Sequence, residues 1–271
     1  MIFISYTKTD SYYEFVGENG NKQIYPVGSI ILTDDESGMI AIKNTASRQT
    51  IGLVVKPEPP FSGKFKLTLN DSSTVTAECD STSAITSGEV ATQYSGSVVS
   101  AEIGDCVTSI GNSAFLNCRN LASIDIPSSI TSIGNSAFFN CGSLASVNIP
   151  TGVTTIGSST FRDCRNLTSI NLPSSVTSID SRAFYQCTGL TSCTIGSGVT
   201  SIGDSAFNKC SGLTSITVNA TTPPTLTPYK GRYENFLYTN DCPILVPAAS
   251  VDTYKAAEGW SDYADRITAI V

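Results

Sequence analysis

The sequence of 271 residues has no histidine, one tryptophan and two methionines, and only 14% of its residues are charged. Without histidine, the Ser–His and Cys–His pairs that activate enzyme nucleophiles cannot form, and imidazole metal sites are excluded. No P-loop or dinucleotide-binding fingerprint is present. Asp163, Asp180 and Asp204 could pair for glycoside hydrolysis, but ordinary solvated carboxylates explain them equally well. We therefore expect a protein that is not an enzyme and that needs no cofactor and no metal.

Long apolar runs and basic clusters are also missing. No stretch reaches the roughly 18 apolar residues of a membrane span. The first residues contain neither the basic n-region nor the apolar h-region of a signal peptide. Two interpretations stay open: the chain is made without such a signal, or its targeting segment has been removed. The net charge of −7 opposes contact with phosphate groups. Nucleic acid and anionic lipid are therefore poor partners.

The sequence does contain an internal repeat with a period of 23 residues. In five successive copies, a phenylalanine is followed after three residues by a cysteine and after three more by a leucine. The phenylalanines are Phe115, Phe138, Phe161, Phe184 and Phe207, the cysteines are Cys118, Cys141, Cys164, Cys187 and Cys210, and the leucines are Leu121, Leu144, Leu167, Leu190 and Leu213. Such regularity is typical of a solenoid, in which stacked coils bury one another's apolar faces.

One copy shows how the repeat becomes a coil. The alternation at 170–172 predicts a strand, which Pro173 ends because proline has no N–H for a ladder. A polar turn and a second short strand through Val176 and Ile179 follow, and Phe, Cys and Leu three apart predict a helical or 3₁₀ turn. A glycine or an aspartate follows the second strand, where we expect a corner with positive φ. These residues are Gly111, Gly134, Gly157, Asp180 and Gly203.

Five of the nine cysteines belong to the repeat, where we expect a buried column of small apolar side chains. Disulfide pairing within the column is the alternative. A metal site is disfavoured because the sequence has no CxxC pair. Cys193 takes an apolar strand position and is expected in the core. The state of Cys79, Cys106 and Cys242, which lie outside the column, stays open.

The remaining sequence predicts three further regions. Residues 1–57 read as a small β-rich domain of unknown role, with strands at 24–32, 39–43 and 50–55. Residues 58–97 are expected to form a linker and a cap hairpin ahead of the repeats at 98–220. Residues 221–271 are expected to form a divergent last repeat and a helical cap. In that cap, Ser250 begins a helix to about 258, and Trp260, Tyr263, Ile267 and Ile270 seal the end.

The motif Ser-Ala-Phe-x-x-Cys, followed by Leu-x-Ser-Ile-x-Ile-Pro, resembles the BspA-like leucine-rich repeats of anaerobic bacteria and some parasites. The resemblance covers 98–220 and extends to the ending that contains Cys242 and Trp260. It implies an α/β repeat solenoid, a right-handed leucine-rich-repeat coil of short strands and helical or 3₁₀ turns. The resemblance does not extend to the small β-rich N-terminal domain that precedes the repeats.

The resemblance also implies a function. Family members are regarded as adhesins or interaction modules, so we expect a protein that binds a host matrix protein, a cell-surface protein or a glycan. The expected location is the bacterial cell surface or the secreted fraction. Because the family also occurs beside phage-type genes, a phage or prophage-associated receptor-binding or structural component is the alternative. A structural spacer is the third possibility.

Three groups of residues are candidates for the ligand surface. Polar residues between the buried strand positions form ladders, although they could simply keep a sheet soluble; the candidates are Asp125, Asn148 and Asn171. The residue after each repeat phenylalanine changes from coil to coil, either because it contacts a ligand or because the surface is unconstrained; these residues are Leu116, Phe139, Arg162, Tyr185 and Asn208. The nearby arginines Arg119, Arg165 and Arg182 belong to the same group. Aromatic clusters that suit sugar stacking, or a cap, contain Tyr12, Tyr13 and Phe15, and then Tyr229, Tyr233, Phe236 and Tyr238.

Overall fold

The computed structural model describes residues 2–3, 5–8, 12–16, 22–26, 30–34, 39–47, 50–55, 62–81 and 83–270. The chain divides into two compact units, Met1–Pro60 and Phe61–Val271. The start of the predicted linker, residues 58–61, lies outside the described residues.

The described part of the first unit consists of β-strands. These are β1 (Ile2–Phe3), β2 (Ser5–Lys8), β3 (Tyr12–Val16), β4 (Lys22–Pro26), β5 (Ile30–Asp34), β6 (Met39–Asn44) and β7 (Thr50–Val55). They form one sheet in the order β1-β7-β6-β5 and another in the order β2-β3-β4. The β-rich character is confirmed, but the single strand predicted at 24–32 is wrong. Pro26, which cannot extend a ladder, ends β4, and β5 begins in the other sheet.

The second unit contains the repeats, and its elements are short. They are β8 (Phe65–Leu69), β9 (Thr74–Ala77), β10 (Ala84–Ile85), α1 (Ala91–Tyr94), β11 (Val98–Ile103), β12 (Ser109–Ile110), β13 (Ser123–Asp125), β14 (Ser132–Ile133), β15 (Thr155–Ile156), β16 (Ser169–Leu172), β17 (Ser178–Ile179), β18 (Ser192–Ile195), β19 (Ser201–Ile202), β20 (Ser215–Val218), β21 (Thr225–Leu226), β22 (Ile244–Val246), a 3₁₀ helix (Ala248–Ser250), α2 (Val251–Ala256), a second 3₁₀ helix (Trp260–Arg266) and β23 (Ile267–Ala269).

Equivalent strands of successive coils pair in parallel, with a register of one repeat. Ser169 of β16 lies opposite Ser192 of β18, which lies opposite Ser215 of β20. Two kinds of ladder result, one from the first strand of each coil and one from the second. The predicted helical face consists of tight turns, in which the N–H of Cys118 donates to Phe115 O at 3.1 Å and that of Leu121 to Cys118 O at 3.1 Å. The α/β repeat solenoid is therefore confirmed.

The repeat phenylalanines form one continuous stack in the core. Adjacent ring centroids lie 5.1–5.7 Å apart from Phe115 to Phe236, and Phe236 then contacts Trp260 at 5.4 Å. The five repeat cysteines are buried free thiols, as predicted. They also donate hydrogen bonds along the stack, since the thiol of Cys164 reaches Phe138 O at 3.2 Å. Burial raises the pKa of Cys118 to about 12, so this thiol stays protonated.

The predicted left-handed corner at the repeat glycines is wrong. Among the described glycines, positive φ occurs at Gly231 and Gly259, which both lie outside the repeats. The glycines are instead required by the close approach of the preceding coil, because a Cβ at Gly134 would lie 2.5 Å from the backbone N of Asn112. The left-handed positions come two and six residues later, as at Ser136 and Asn140.

The amino-terminal end of the stack is closed by the predicted hairpin. Strand β8 pairs antiparallel with β9 and with β11, so it covers the first repeat strand. The buried ammonium of Lys64 lies 2.7 Å from the carboxylates of both Asp80 and Glu89. Burial alone would lower the pKa of Lys64, but these two partners outweigh it and raise the pKa. A disulfide between Cys79 and Cys106 ties the hairpin to the first coil.

The carboxyl end is closed by the segment after β22. Trp260 and Tyr263 are buried, and the indole N–H of Trp260 donates to Pro224 O at 2.7 Å. Ser250 precedes α2, but its hydroxyl donates to Thr221 O rather than capping the helix. The helix also ends earlier than predicted, at Ala256. Ile270 is 38% exposed and does not seal the core, contrary to the expectation.

Candidate binding surface

The residues that follow the repeat phenylalanines lie side by side, because each coil is displaced from the last by one strand spacing. The guanidinium carbon of Arg162 lies 5.1 Å from the ring centroid of Phe139 and 5.1 Å from that of Tyr185. The planar cation is therefore held between two aromatic rings contributed by the coils before and after it. Such stacking fixes the direction in which the guanidinium presents its N–H groups.

Six of the candidates predicted from the sequence line one open depression of about 390 Å³, here called the tyrosine–arginine depression. They are Arg162, Arg182, Tyr185, Asn208, Tyr229 and Tyr238. The insertion after β21 supplies Tyr229 and Tyr238, and the repeats supply the others. Two groups that the sequence presents separately thus form one surface, and a volume in the range of roughly 300–1,000 Å³ is usual for small-ligand sites.

The lining of this depression is basic and aromatic. Lys209 Nζ lies 5.3 Å from the ring centroid of Tyr185, whose hydroxyl accepts a hydrogen bond that raises the pKa of the lysine. Arg182 lies over the ring of Tyr229 at 5.5 Å. Its guanidinium is 3.9 Å from the Asp204 carboxylate, a weak ion pair at a partly exposed site. The lining residues of the depression therefore include three cations and one carboxylate, with Asp163 and Asp204 beside two of the cations.

Two buried polar atoms of the lining residues have no hydrogen-bond partner within the described part of the chain: Asn208 Oδ1 and Arg162 Nε. Asn208 is only 4% exposed, and its amide N–H group faces Glu234 Oε2 at 3.5 Å, which leaves the carbonyl oxygen unpaired. Arg162 Nε lies 3.4 Å from Asp163 Oδ2 without forming a hydrogen bond. Unpaired buried polar atoms are costly and often mark places where a ligand supplies the partner.

A second depression of about 400 Å³ contains Arg119, Phe139 and Arg165. Asp163 also lines it and lies 3.0 Å from the guanidinium of Arg165, so part of the positive charge is already neutralised. Leu116 lines neither of these two depressions.

The polar strand positions form a separate surface. Asp125 lines a shallow depression with Lys66 and Glu102, and Asn171 is exposed on β16. Asn148 is exposed, but the expectation that it lies on a strand is wrong. Residues 146–149 are described and form no strand. In this stretch the backbone hydrogen bonds to the neighbouring coils stop at Ala145, whose N–H donates to Ala122 O and whose carbonyl accepts from Thr168 N–H.

The predicted aromatic clusters are divided by the structure. Tyr238 is 64% exposed and Tyr229 is 37% exposed, whereas Phe236 belongs to the core stack. Tyr233 lies apart from the tyrosine–arginine depression and donates its hydroxyl to Glu258 at 2.7 Å. In the first unit, Phe15 is buried and contacts Tyr13 and Tyr25, while the side chain of Tyr12 lies outside the described residues.

Sequence reasoning missed four residues that also line the depression, namely Ser205, Lys209, Glu234 and Leu237. A signal for Leu237 was available, because it follows Phe236 as Tyr185 follows Phe184. Lys209 takes the left-handed position of its coil with φ 63°, which Asn117, Asn140, Asp163 and Gln186 take in the earlier coils. Asparagine and aspartate tolerate that conformation best, but the glutamine of the preceding coil already departs from this preference, so the position gives no separate signal for the lysine.

Other kinds of site are not evident in the described residues. Across 62–81 and 83–270, and in the described strands before them, no group of three or more His, Cys, Asp or Glu side chains is placed to hold a metal ion. In the same residues, none of the helices has the length and apolar character needed to cross a membrane.

The parallel ladders, tight turns and stacked Phe, Cys and Leu side chains define a leucine-rich-repeat solenoid. Residues 88–222 match the BspA type leucine rich repeat region in six copies. The repeats of this chain therefore belong to the BspA-type leucine-rich-repeat family, which confirms the resemblance seen in the sequence motif.

The chain is also similar to solved leucine-rich-repeat structures. A T. pallidum leucine rich repeat protein shares 21% identity, with 70% of this chain and 81% of that chain covered and a TM-score of 0.49. A leucine rich cell surface protein from Faecalibacterium prausnitzii shares 21% identity, with 91% of this chain and 72% of that chain covered and a TM-score of 0.43. A leucine-rich repeat protein from Bacteroides ovatus shares 19% identity, with 82% of this chain and 70% of that chain covered and a TM-score of 0.36. No curated protein sequence matches the chain.

Proposed function

We propose that this chain is a non-enzymatic binding and adhesion protein that presents its leucine-rich-repeat surface to a protein or glycan partner at a bacterial cell surface. The observation that carries the proposal is the tyrosine–arginine depression, where exposed aromatic and basic side chains converge on a rigid stack of coils. Tyrosine and arginine are the residue types that most often dominate binding energy at interfaces.

The rigidity of the coil supports this function. Arg162 is fixed between two rings, and each coil backbone is bonded to its neighbours, as when Asp163 N–H donates to Tyr185 O at 2.9 Å. Side chains that are already ordered lose little conformational entropy on binding. A preformed surface of this kind therefore binds a partner at a lower entropy cost than a loop that must fold around that partner.

The disulfide between Cys79 and Cys106 supports the proposed location. Disulfides persist in oxidising compartments and are rare in the reducing cytosol of ordinary bacteria. The repeat cysteines are buried thiols, and burial raises the pKa of Cys141, so these thiols are protected from the same oxidising conditions.

The test is a binding panel of host matrix proteins and mucin glycans, measured by interferometry with the full chain. A site variant, Arg162→Gln with Tyr238→Ala, is compared with a strand-face variant, Asp125→Asn with Asn171→Ser. We expect saturable binding that the first variant weakens and the second preserves. The reverse pattern would move recognition to the strand face, and absence of binding to every member would refute a role in adhesion to these partners.

A further inference from the structure

The tyrosine–arginine depression combines three features that rarely occur together on a surface. Its cations are Arg162, Arg182 and Lys209, and its one lining carboxylate is Glu234. Exposed rings stand at its rim, and an unpaired acceptor lies in its wall. Each feature restricts the chemistry of a ligand in a different way.

We propose that this depression binds an acidic sugar, a saccharide unit that carries a carboxylate or sulfate group together with free ring hydroxyls. The inference rests on the proposed binding function and names the ligand class of that site.

The anionic group of the ligand is indicated by the fixed cations. Arg162 is held between Phe139 and Tyr185, so its planar fork can accept a carboxylate or sulfate in a bidentate manner with little ordering cost. Lys209 Nζ lies 5.3 Å from the ring centroid of Tyr185 on the neighbouring coil and adds a second charge beside the same ring. The chain as a whole has a net charge of −7, so a lining with three cations and one carboxylate is not a general property of its surface.

The hydroxyl groups of the ligand are indicated by the acceptors. Asn208 Oδ1 has no partner among the described residues, and Glu234 accepts a long hydrogen bond of 3.5 Å from the Asn208 amide. A simple anion such as phosphate or sulfate would be repelled by Glu234 and would leave Asn208 unsatisfied. A sugar hydroxyl can donate to either oxygen. Because Asn208 Oδ1 is covered in the free depression, a covering side chain must move aside for this contact.

The rings at the rim are suited to the apolar face of a sugar. Tyr238 and Tyr229 are exposed, and such large aromatic surfaces in water usually mark an interaction site.

The experiment is a titration of the full chain with soluble oligosaccharides, followed by calorimetry. Glucuronate-terminated, N-acetylneuraminate-terminated and sulfated oligosaccharides are compared with neutral oligosaccharides of the same length, with acidic peptides and with inorganic sulfate. We expect an acidic oligosaccharide to bind and its neutral counterpart to bind at least about tenfold more weakly, which corresponds to one charge-assisted contact. The carboxylated and sulfated arms distinguish which anionic group the site prefers.

Variants separate the contributions of the lining. Arg162→Gln and Lys209→Gln should each weaken the binding of the acidic oligosaccharide by about tenfold or more. The matched control is Lys255→Gln, which removes one positive charge from the exposed side of α2, outside the depression, and should leave binding unchanged. Glu234→Gln should weaken sugar binding but strengthen the binding of inorganic sulfate, because it removes a repulsive charge. Far-UV circular dichroism confirms that each variant is folded.

The outcomes distinguish this inference from the proposed function. Equal binding of neutral and acidic oligosaccharides, or no effect of Arg162→Gln, would overturn the acidic-sugar site and leave a binding protein. Binding of acidic peptides instead of sugars would also overturn it, in favour of a protein partner. Absence of binding to every saccharide, peptide and matrix protein would overturn both.

Discussion

Replacing Phe161 by alanine should remove the central member of the aromatic stack. Its ring lies 5.3 Å from that of Phe138 and 5.4 Å from that of Phe184, and the residue is fully buried. The loss of apolar contacts and the resulting cavity should lower the free energy of unfolding by about 3–5 kcal/mol. The neighbouring coils cannot collapse into the space easily, because Phe161 N–H and Asp163 N–H are bonded to the next coil.

The assay is urea unfolding, followed by circular dichroism and by the fluorescence of Trp260. This tryptophan is the only one in the sequence and lies in the carboxyl-terminal cap of the repeat unit. In a solenoid the damage falls first on the adjacent interfaces, so the two signals should separate in Phe161→Ala. Phe161→Leu is the matched control and should cost less, because it retains apolar volume. A loss below about 1 kcal/mol for the alanine variant would refute a structural role of the stack.

Three further predictions concern other features of the repeat unit. Replacing Cys79 and Cys106 by serine should lower the free energy of unfolding by about 3 kcal/mol, because the bond spans a sequence separation of 27; an unchanged urea midpoint would contradict this. The free energy of unfolding should fall above about pH 9, because the pKa of the Cys118 thiol is near 9.0 in the unfolded chain but about 12 in the folded one. Alkaline pH therefore favours the unfolded chain, and a melting temperature that stays constant up to about pH 10 would contradict this prediction. Gly134→Ala should cost about 1–3 kcal/mol by steric conflict with Asn112, measured by thermal melting. Gly142→Ala, where a Cβ would meet no atom within 4 Å, is its control, and equal effects would refute the close-approach argument.

Much of the fold follows from the sequence because the repeat makes each local inference five times over. The spacing of Phe161, Cys164 and Leu167 was sufficient to predict an inward-facing turn, and Pro173 was sufficient to end a strand. The glycine corner could not be predicted in the same way. Gly134 is required by the approach of another coil, and a residue pattern within one coil carries no information about the distance to the next.

The candidate surface was predictable in part. Variation at the residue after each phenylalanine pointed to Arg162 and Tyr185, which the structure places in contact. The meeting of these residues with Tyr229 was not predictable, because it depends on how the segment between β21 and β22 folds back over the coil, whereas Tyr238 follows Phe236 by two residues as Lys209 follows Phe207. Lys209 was missed because its position reads as a turn residue, and Gln186 takes the same left-handed conformation one coil earlier.

The near identity of the coils also has a consequence for how the chain folds. A coil centred on Phe138 offers its neighbours almost the same surface as one centred on Phe161, so a chain folding from the middle can pair one period out of frame. The two ends remove this ambiguity, since antiparallel β8 and the indole of Trp260 each fit a single terminal coil. The two caps therefore select one stacking register of the coils from several registers of nearly equal energy.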